Sequence, residues 1–138
     1  MPVWYRPVPG QPLFHVIYSG HITLNDVLGF FDTFEMDFRR HPDFDELCDV
    51  GQVTTIDFED RDVQSLFALV VGIYRRNACR KRIAFVGGND SVRPVLDQMI
   101  RRFDIDYPNV RGRLFDTPEQ AHDYLGLPAA FVPTKGLH

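Results

Sequence analysis

Apolar and polar residues alternate in blocks along the chain, and these blocks predict nine elements of secondary structure. Short apolar stretches that favour β-strands occupy positions 3–8, 13–19, 46–50, 83–86 and 111–115. Between them apolar residues recur every three or four positions, as on one side of a helix. These helical stretches cover positions 23–41, 62–76, 91–103 and 117–125. The alternation predicts a single α/β domain with a mainly parallel sheet of about five strands and four helices.

Residues at the ends of these blocks refine the prediction. Pro7, within positions 3–8, excludes a central place in a sheet, so this stretch is expected at an edge, antiparallel to the next strand. Thr23 with Asp26, and Thr117 with Gln120, have the spacing of helix-capping boxes. Asp62 is predicted to cap the second helix.

The second helix is apolar nearly all round. One side carries Val63, Leu66, Phe67, Val70 and Tyr74. The other side carries Leu69, Val71 and Ile73. Such a helix is buried on more than one face, so a second subunit or the C-terminal tail is expected to cover it. We assign positions 1–128 to the domain and positions 129–138 to that tail, which docks through Phe131 and Val132 or remains free.

Three stretches together carry a resemblance to a known family. They are "SGHITLNDVLGFFDTF" after the second strand, "RIAFVG" as the fourth strand and "VRGRLFDTPEQAHDYLG" near the end. With the order of elements, they resemble the SpoIIAA-like group over positions 10–127. That group is related to STAS domains and shares its fold with the lipid-carrying CRAL-TRIO (SEC14) domains. The resemblance implies a βα superhelix with strands in nearly sequential order and helices largely on one side of the sheet.

This resemblance also implies a regulatory role, with one departure. STAS anti-sigma-factor antagonists carry a phosphorylated serine in the turn between the third strand and the second helix. Here that region reads "TTIDFEDRD", and its next serine, Ser65, falls inside the predicted helix. We therefore expect a module of this type without the phosphoserine switch.

The loop "VGGNDSVRP" has the strand, glycine turn and helix start of a phosphate cradle. It lacks the third glycine of a dinucleotide fingerprint and follows the fourth strand rather than the first. We expect its glycines to permit a sharp turn, while Asn89, Asp90 or Ser91 caps the following helix.

Other candidate sites have simpler interpretations. The acidic stretch "DFEDRD" lacks the order of an EF-hand, and the five histidines show no metal-binding spacing. The basic stretch "YRRNACRKR" places Arg75 and Arg76 at a helix C-terminus and leads through Arg80, Lys81 and Arg82 into a strand at the surface. The sequence therefore predicts no catalytic residue, no metal site and no cofactor.

Aromatic residues of the first two helices remain as a candidate binding surface. Phe30, Phe34 and Phe38 recur at every fourth position, while Phe31 points elsewhere. With Phe67 and Tyr74 they form a core, a pocket for an apolar or lipid-like ligand, or a subunit interface. These five residues, Phe30, Phe34, Phe38, Phe67 and Tyr74, are our candidate ligand-binding residues.

Composition limits the classes of function. The chain has 138 residues, of which 44% are apolar, enough for one sizeable core. A net charge of −4 argues against nucleic acid as a partner, and no apolar run suits membrane insertion. Its two cysteines, Cys48 and Cys79, form no pairing pattern, and we expect a cytoplasmic location. The leading hypothesis is a non-enzymatic interaction or regulatory module, a homodimer with a protein partner; the alternative is a carrier or sensor of a small apolar ligand.

Overall fold

The computed structural model describes residues 2–128, and every structural statement below refers to these residues. They form five strands and four helices in the predicted order: β1 (Val3–Pro7), β2 (Leu13–Thr23), α1 (Leu24–Phe38), β3 (Asp45–Asp57), α2 (Asp60–Arg76), β4 (Lys81–Val86), α3 (Arg93–Asp106), β5 (Val110–Phe115) and α4 (Pro118–Leu125). The predicted fold class is confirmed.

All five strands belong to one mixed sheet and lie side by side in chain order. β1 pairs with β2 in antiparallel register, from Val3 opposite Tyr18 to Pro7 opposite Phe14. The other neighbouring pairs are parallel. The prediction of an antiparallel N-terminal edge strand is therefore confirmed.

β2 and β3 are much longer than predicted. β3 continues to Asp57, and its final residues pair with the end of β2 as far as Thr23. The prediction that β3 ends at Val50 and that a loop follows was wrong. Most side chains of the extension are exposed, so it lacks the continuous apolar run that marks a buried strand.

The helices are divided unequally between the two faces of the sheet. α1, α2 and α3 pack on one face over the main core, which includes Phe14, Val16, Cys48 and Phe85 from the strands. α4 lies on the other face, where Ala121 and Leu125 join a smaller cluster that contains Leu13, Leu47 and Ala84. The expectation of helices largely on one side is confirmed.

Two helix starts are as predicted and two differ. Both capping boxes are present: Thr23 with Asp26, and Thr117 with Gln120. α2 begins at Asp60 with Glu59 as its N-cap, so the prediction that Asp62 caps the helix was wrong. Asp62 lies in the first turn, where its charge still favours the positive end of the helix dipole. α3 begins at Arg93, two residues after the predicted Ser91.

The second apolar side of α2 is mostly covered within one chain. Val71 and Ile73 are buried, whereas Leu69 is 43% exposed. A second subunit is therefore not required to bury this helix, and the homodimer stays a prediction. The expected docking of Phe131 and Val132 lies outside the described residues.

Candidate functional site

An apolar cavity of about 100 Å³ lies between the sheet and helices α1, α2 and α3. Its apolar lining includes Phe31, Leu66, Phe67, Val70, Phe85 and Phe103. Protein interiors are close-packed and contain few voids larger than a water molecule. An apolar space of this size between the sheet and three helices is therefore a candidate ligand site.

A surface groove beside the start of α2 and α3 leads toward this cavity. The groove is lined by Asp60, Val63 and Gln64 of α2, by Val95 and Gln98 of α3, by Ile56 of β3 and by Phe58, which follows that strand. Ile56, Phe58 and Val95 line both the groove and the cavity. These three side chains are half-buried, so the cavity and the groove share residues that solvent reaches.

The structure divides the five predicted site residues into two groups. Phe67 and Tyr74 line the cavity. Phe30, Phe34 and Phe38 are absent from its lining and are buried in the aromatic part of the core. A ligand-binding role for the five residues stays a prediction. The geometry favours this role for Phe67 and Tyr74.

Phe30, Phe34 and Phe38 pack side by side along α1. The rings of Phe30 and Phe34 are stacked with 4.9 Å between centroids, and Phe34 also contacts Phe14 of β2 at 5.2 Å. The Phe38 ring lies parallel to that of Tyr74 at 5.2 Å. Their neighbour Phe31, which belongs to a different side of the same helix, faces the cavity instead.

A charged pair is buried at one end of the cavity. The Lys81 ammonium lies 3.1 Å from Oε2 of Glu46, and the two side chains are 0% and 4% exposed. The Tyr74 hydroxyl donates a hydrogen bond of 2.6 Å to the same carboxylate oxygen. Lys81 also lies over the Phe38 ring, 4.7 Å from its centroid.

The expectation that Lys81 lies at the surface was wrong, and the pair with Glu46 was missed. Side chains alternate between the two faces of a strand. Lys81 therefore shares a face with Ile83 and Phe85, as Glu46 does with Cys48. This alternation was a signal in the sequence that two opposite charges lie on neighbouring buried strands.

Burial raises the pKa of the hydroxyl and thiol groups near Glu46. Burial raises the pKa of the Tyr74 hydroxyl well above its usual value, and the charge of Glu46 raises it further. Burial, with a smaller contribution from the charge of Glu46, similarly raises the pKa of Tyr18. Burial also raises the pKa of the Cys48 thiol, and raises that of Cys79 to about 11. Since the thiolate is the reactive form, neither cysteine is activated as a nucleophile.

The loop after β4 supports the start of α3 through Asn89, but the prediction that Asn89, Asp90 or Ser91 caps this helix was wrong, because its N-cap is Val92 and the helix lacks a side-chain capping bond. Oδ1 of Asn89 accepts hydrogen bonds from the backbone N–H groups of Ser91 and Val92, at 2.9 and 3.1 Å. The side-chain amide of Asn89 donates to the carbonyl of Val53 in β3. Gly87 has a φ of +85°, and an added Cβ would lie 3.0 Å from the Cα of Gly51. The glycine thus permits close approach of two backbones.

An exposed trio on the β2–β3 extension was not anticipated. His21 contacts the Thr55 hydroxyl through Nδ1, and its Nε2 lies 3.4 Å from Asp57. None of the three lines the cavity or the groove. Within residues 2–128, no three His, Cys, Asp or Glu side chains are grouped in a way that suits a metal ion.

The basic stretch "YRRNACRKR" is largely used inside the fold. Arg76 pairs with Glu35 of α1. Arg82 pairs with Asp45 at 3.3 Å and donates to the Tyr124 carbonyl at the end of α4. These side chains join elements of the domain. In the part of the chain that the structure describes, no helix is long and apolar enough to span a membrane.

Five strands in sequential order, with three helices on one face and one on the other, define the SpoIIAA-like fold. Two solved structures share it with TM-scores of 0.58 and 14% sequence identity. One is a protein of the DUF3478 family with a SpoIIAA-like fold from Shewanella loihica, which matches 89% of this chain and 91% of its own.

The second is a candidate anti-sigma factor antagonist from Thermotoga maritima, which matches 88% of this chain and 92% of its own. No protein-family model matches the chain, and no curated protein matches it. At this identity the likeness defines the fold alone.

Proposed function

We propose that this domain is a non-enzymatic STAS-like regulatory module that binds a small apolar ligand between its sheet and helices. The observation that carries the proposal is the apolar cavity of about 100 Å³, which shares the half-buried side chains of Ile56, Phe58 and Val95 with the surface groove. The lining is almost wholly apolar, as in many small-molecule sites, with a few polar groups at fixed positions.

An empty cavity of this size destabilises a protein. At about 24 cal/mol per Å³, a fully enclosed cavity of about 100 Å³ costs about 2–3 kcal/mol of folding free energy, and this figure is the upper limit for the partly open cavity here. Filling it with an apolar ligand recovers part of this energy. A purely structural core would gain stability from larger side chains at the same positions, so the cost favours a functional role.

The size of the cavity indicates a small ligand. An engineered apolar cavity of about 150 Å³ binds benzene, and the present one is somewhat smaller. A single ring or a short aliphatic chain matches this space. A longer, lipid-like molecule would require Ile56, Phe58 and Val95 to separate so that its chain extends into the groove.

Binding of toluene to a matched pair of variants tests the proposal. Leu66 lines the cavity, whereas Leu69 lies on the exposed side of the same helix. We expect Leu66→Phe to fill the space and abolish toluene binding, while Leu69→Phe binds like the wild type. Protein NMR titrations of methyl groups measure both. Native mass spectrometry of the purified protein checks for a bound apolar molecule.

At ten times its Kd, toluene should stabilise the wild type by about 1.4 kcal/mol. Absence of saturable binding to the wild type, or equal binding to Leu66→Phe, would contradict the proposal.

A second candidate function is a protein-interaction module that acts as a homodimer in the cytoplasm. It is supported by the fold shared with the candidate anti-sigma factor antagonist. The absence of serine between Ile56 and Gln64 favours such a module without phosphoserine control. Sedimentation at micromolar concentration tests self-association, and a monomer that recovers no partner from lysate would count against it.

A further inference from the structure

We infer that the ligand of this cavity carries a hydroxyl group on an apolar frame, and that Glu46 accepts the hydrogen bond from it. The inference rests on the proposed ligand site and specifies its chemistry. Glu46 is 3% exposed, yet it lines the cavity together with Tyr18, Cys48 and Tyr74. A buried carboxylate on the wall of an apolar cavity is a directional acceptor for a ligand.

The two oxygens of this carboxylate are used unequally. Oε2 receives both strong donors, the Lys81 ammonium at 3.1 Å and the Tyr74 hydroxyl at 2.6 Å. Among the described residues, Oε1 has the Cys48 thiol at 4.0 Å as its contact. A thiol is a weak donor. Oε1 is therefore a buried charged acceptor with spare capacity, and a hydroxyl donor is the group it lacks.

Lys81 and Tyr74 hold Glu46 in place for this role. Both contacts anchor Oε2, so the orientation of the carboxylate is fixed without a ligand. Lys81 is absent from the cavity lining, whereas Glu46 belongs to it. A ligand in the cavity thus meets the carboxylate before the ammonium.

Because the carboxylate of Glu46, and not the ammonium of Lys81, lines the cavity, the site discriminates between neutral and acidic ligands. A neutral alcohol or phenol donates its proton to Oε1 and leaves its frame against the apolar wall. A carboxylate ligand brings a second negative charge into a low-dielectric site that faces Glu46, and like charges repel strongly there. The cavity should therefore select neutral hydroxyl compounds against acids of similar size.

Three small aromatic probes test the inference on the full chain. Phenol and toluene have nearly the same shape and differ in a hydroxyl for a methyl group, whereas benzoate carries the negative charge. A hydrogen bond to a charged group predicts that phenol binds about tenfold more tightly than toluene, and that benzoate does not bind. NMR titration gives the three Kd values.

Glu46→Gln should remove most of the preference for phenol over toluene, measured as the ratio of the two Kd values. Glu119→Gln, at an exposed glutamate of α4, is the matched control and should retain the preference. If Glu46→Gln does not fold, the carboxyl ¹³C resonance of Glu46 in the wild type decides instead. It should shift with phenol and remain in place with toluene.

The outcomes separate the two proposals. If toluene binds but phenol binds no more tightly, or benzoate binds as well as phenol, this inference is overturned and the ligand site stands. Retention of the phenol preference in Glu46→Gln also overturns it. If none of the three probes binds to the wild type, the proposed function and this inference both fail.

Discussion

Replacing Lys81 with methionine removes one half of the buried ion pair and keeps most of the side-chain volume. Lys81 and Glu46 are 3.1 Å apart, with side chains that are 0% and 4% exposed. In Lys81→Met the carboxylate keeps the Tyr74 hydroxyl as its strong donor, while its charge loses the opposite charge that balanced it. The contact of the ammonium with the Phe38 ring is also lost.

The expected cost follows from the burial of both partners. Removing one member of a buried ion pair typically destabilises a protein by about 3–5 kcal/mol, because the remaining charge stays buried and uncompensated. Domains of this size have a total stability of about 5–15 kcal/mol. We therefore expect Lys81→Met to lose a large fraction of the free energy of unfolding while remaining folded at low temperature.

Urea unfolding monitored by circular dichroism measures the loss. With an m-value of about 2 kcal/mol/M, a loss of about 4 kcal/mol moves the midpoint down by about 2 M. Arg61→Met is the matched control, because Arg61 lies 3.0 Å from Glu59 in an exposed pair. Exposed pairs contribute about 0–1 kcal/mol, so this control should change the midpoint little.

The triple variant Glu46→Met/Lys81→Met/Tyr74→Phe separates two quantities: the free-energy cost of leaving one charge unpaired, and the net contribution of the ion pair to stability. It removes both charges and the hydroxyl that would lose its acceptor. Replacement of a buried pair by apolar groups is often neutral or stabilising by about 1–4 kcal/mol. The triple variant should therefore regain most of the stability lost in Lys81→Met. A loss below about 1 kcal/mol in Lys81→Met, or a triple variant less stable than Lys81→Met, would refute the reasoning.

Three further variants test the cavity, the surface charges and the loop after β4. Val70→Ile adds a methylene group to the cavity and should raise the free energy of unfolding by about 0.5–1 kcal/mol, whereas Val71→Ile, outside the lining, should not. The hydrogen bond from Arg76 lowers the pKa of Glu35 from its usual 4.5, so its stabilising contribution is complete above that pH and is lost as the pH falls through the lowered pKa. The stability difference between wild type and Glu35→Gln in urea unfolding should accordingly shrink in acid; a constant difference would contradict the assignment. Asn89→Ala removes the acceptor for the N–H groups of Ser91 and Val92 and should lose about 1 kcal/mol in the same assay; an unchanged stability would mean that solvent replaces these hydrogen bonds.

Short sequence patterns predict those parts of the fold that depend on contacts between residues close together in the chain. The capping boxes at Thr23 and Thr117 are examples, since each is complete within four residues. Prediction fails where a distant partner decides. β3 continues to Asp57 because the end of β2 pairs with it. The polar stretch "GQVTTID" contains no pattern that predicts pairing with β2.

The candidate site could be predicted only in part, because packing and binding use the same residue types. Phe30, Phe31 and Phe34 are neighbours on one helix, all buried, yet Phe31 alone of the three lines the cavity. Successive residues of a helix differ in direction by about 100°, so one phenylalanine packs in the core while its neighbour lines the cavity. The two residues are equally hydrophobic, and the sequence therefore does not distinguish them. The space between the elements becomes visible only when the structure is known.

Glu46 helps to distinguish a binding site from an ordinary core, which the aromatic residues do not. An aromatic side chain in a core has an obvious structural purpose, whereas a buried charge is costly and requires compensation. Lys81 and Tyr74 compensate one oxygen, the other has the weak Cys48 thiol as its contact, and the residue lines a cavity that the surrounding side chains leave unfilled. An acceptor of this kind would destabilise a site meant only for packing. Its retention beside the cavity is therefore the strongest physical reason to regard the interior of this domain as a binding site rather than an imperfect core.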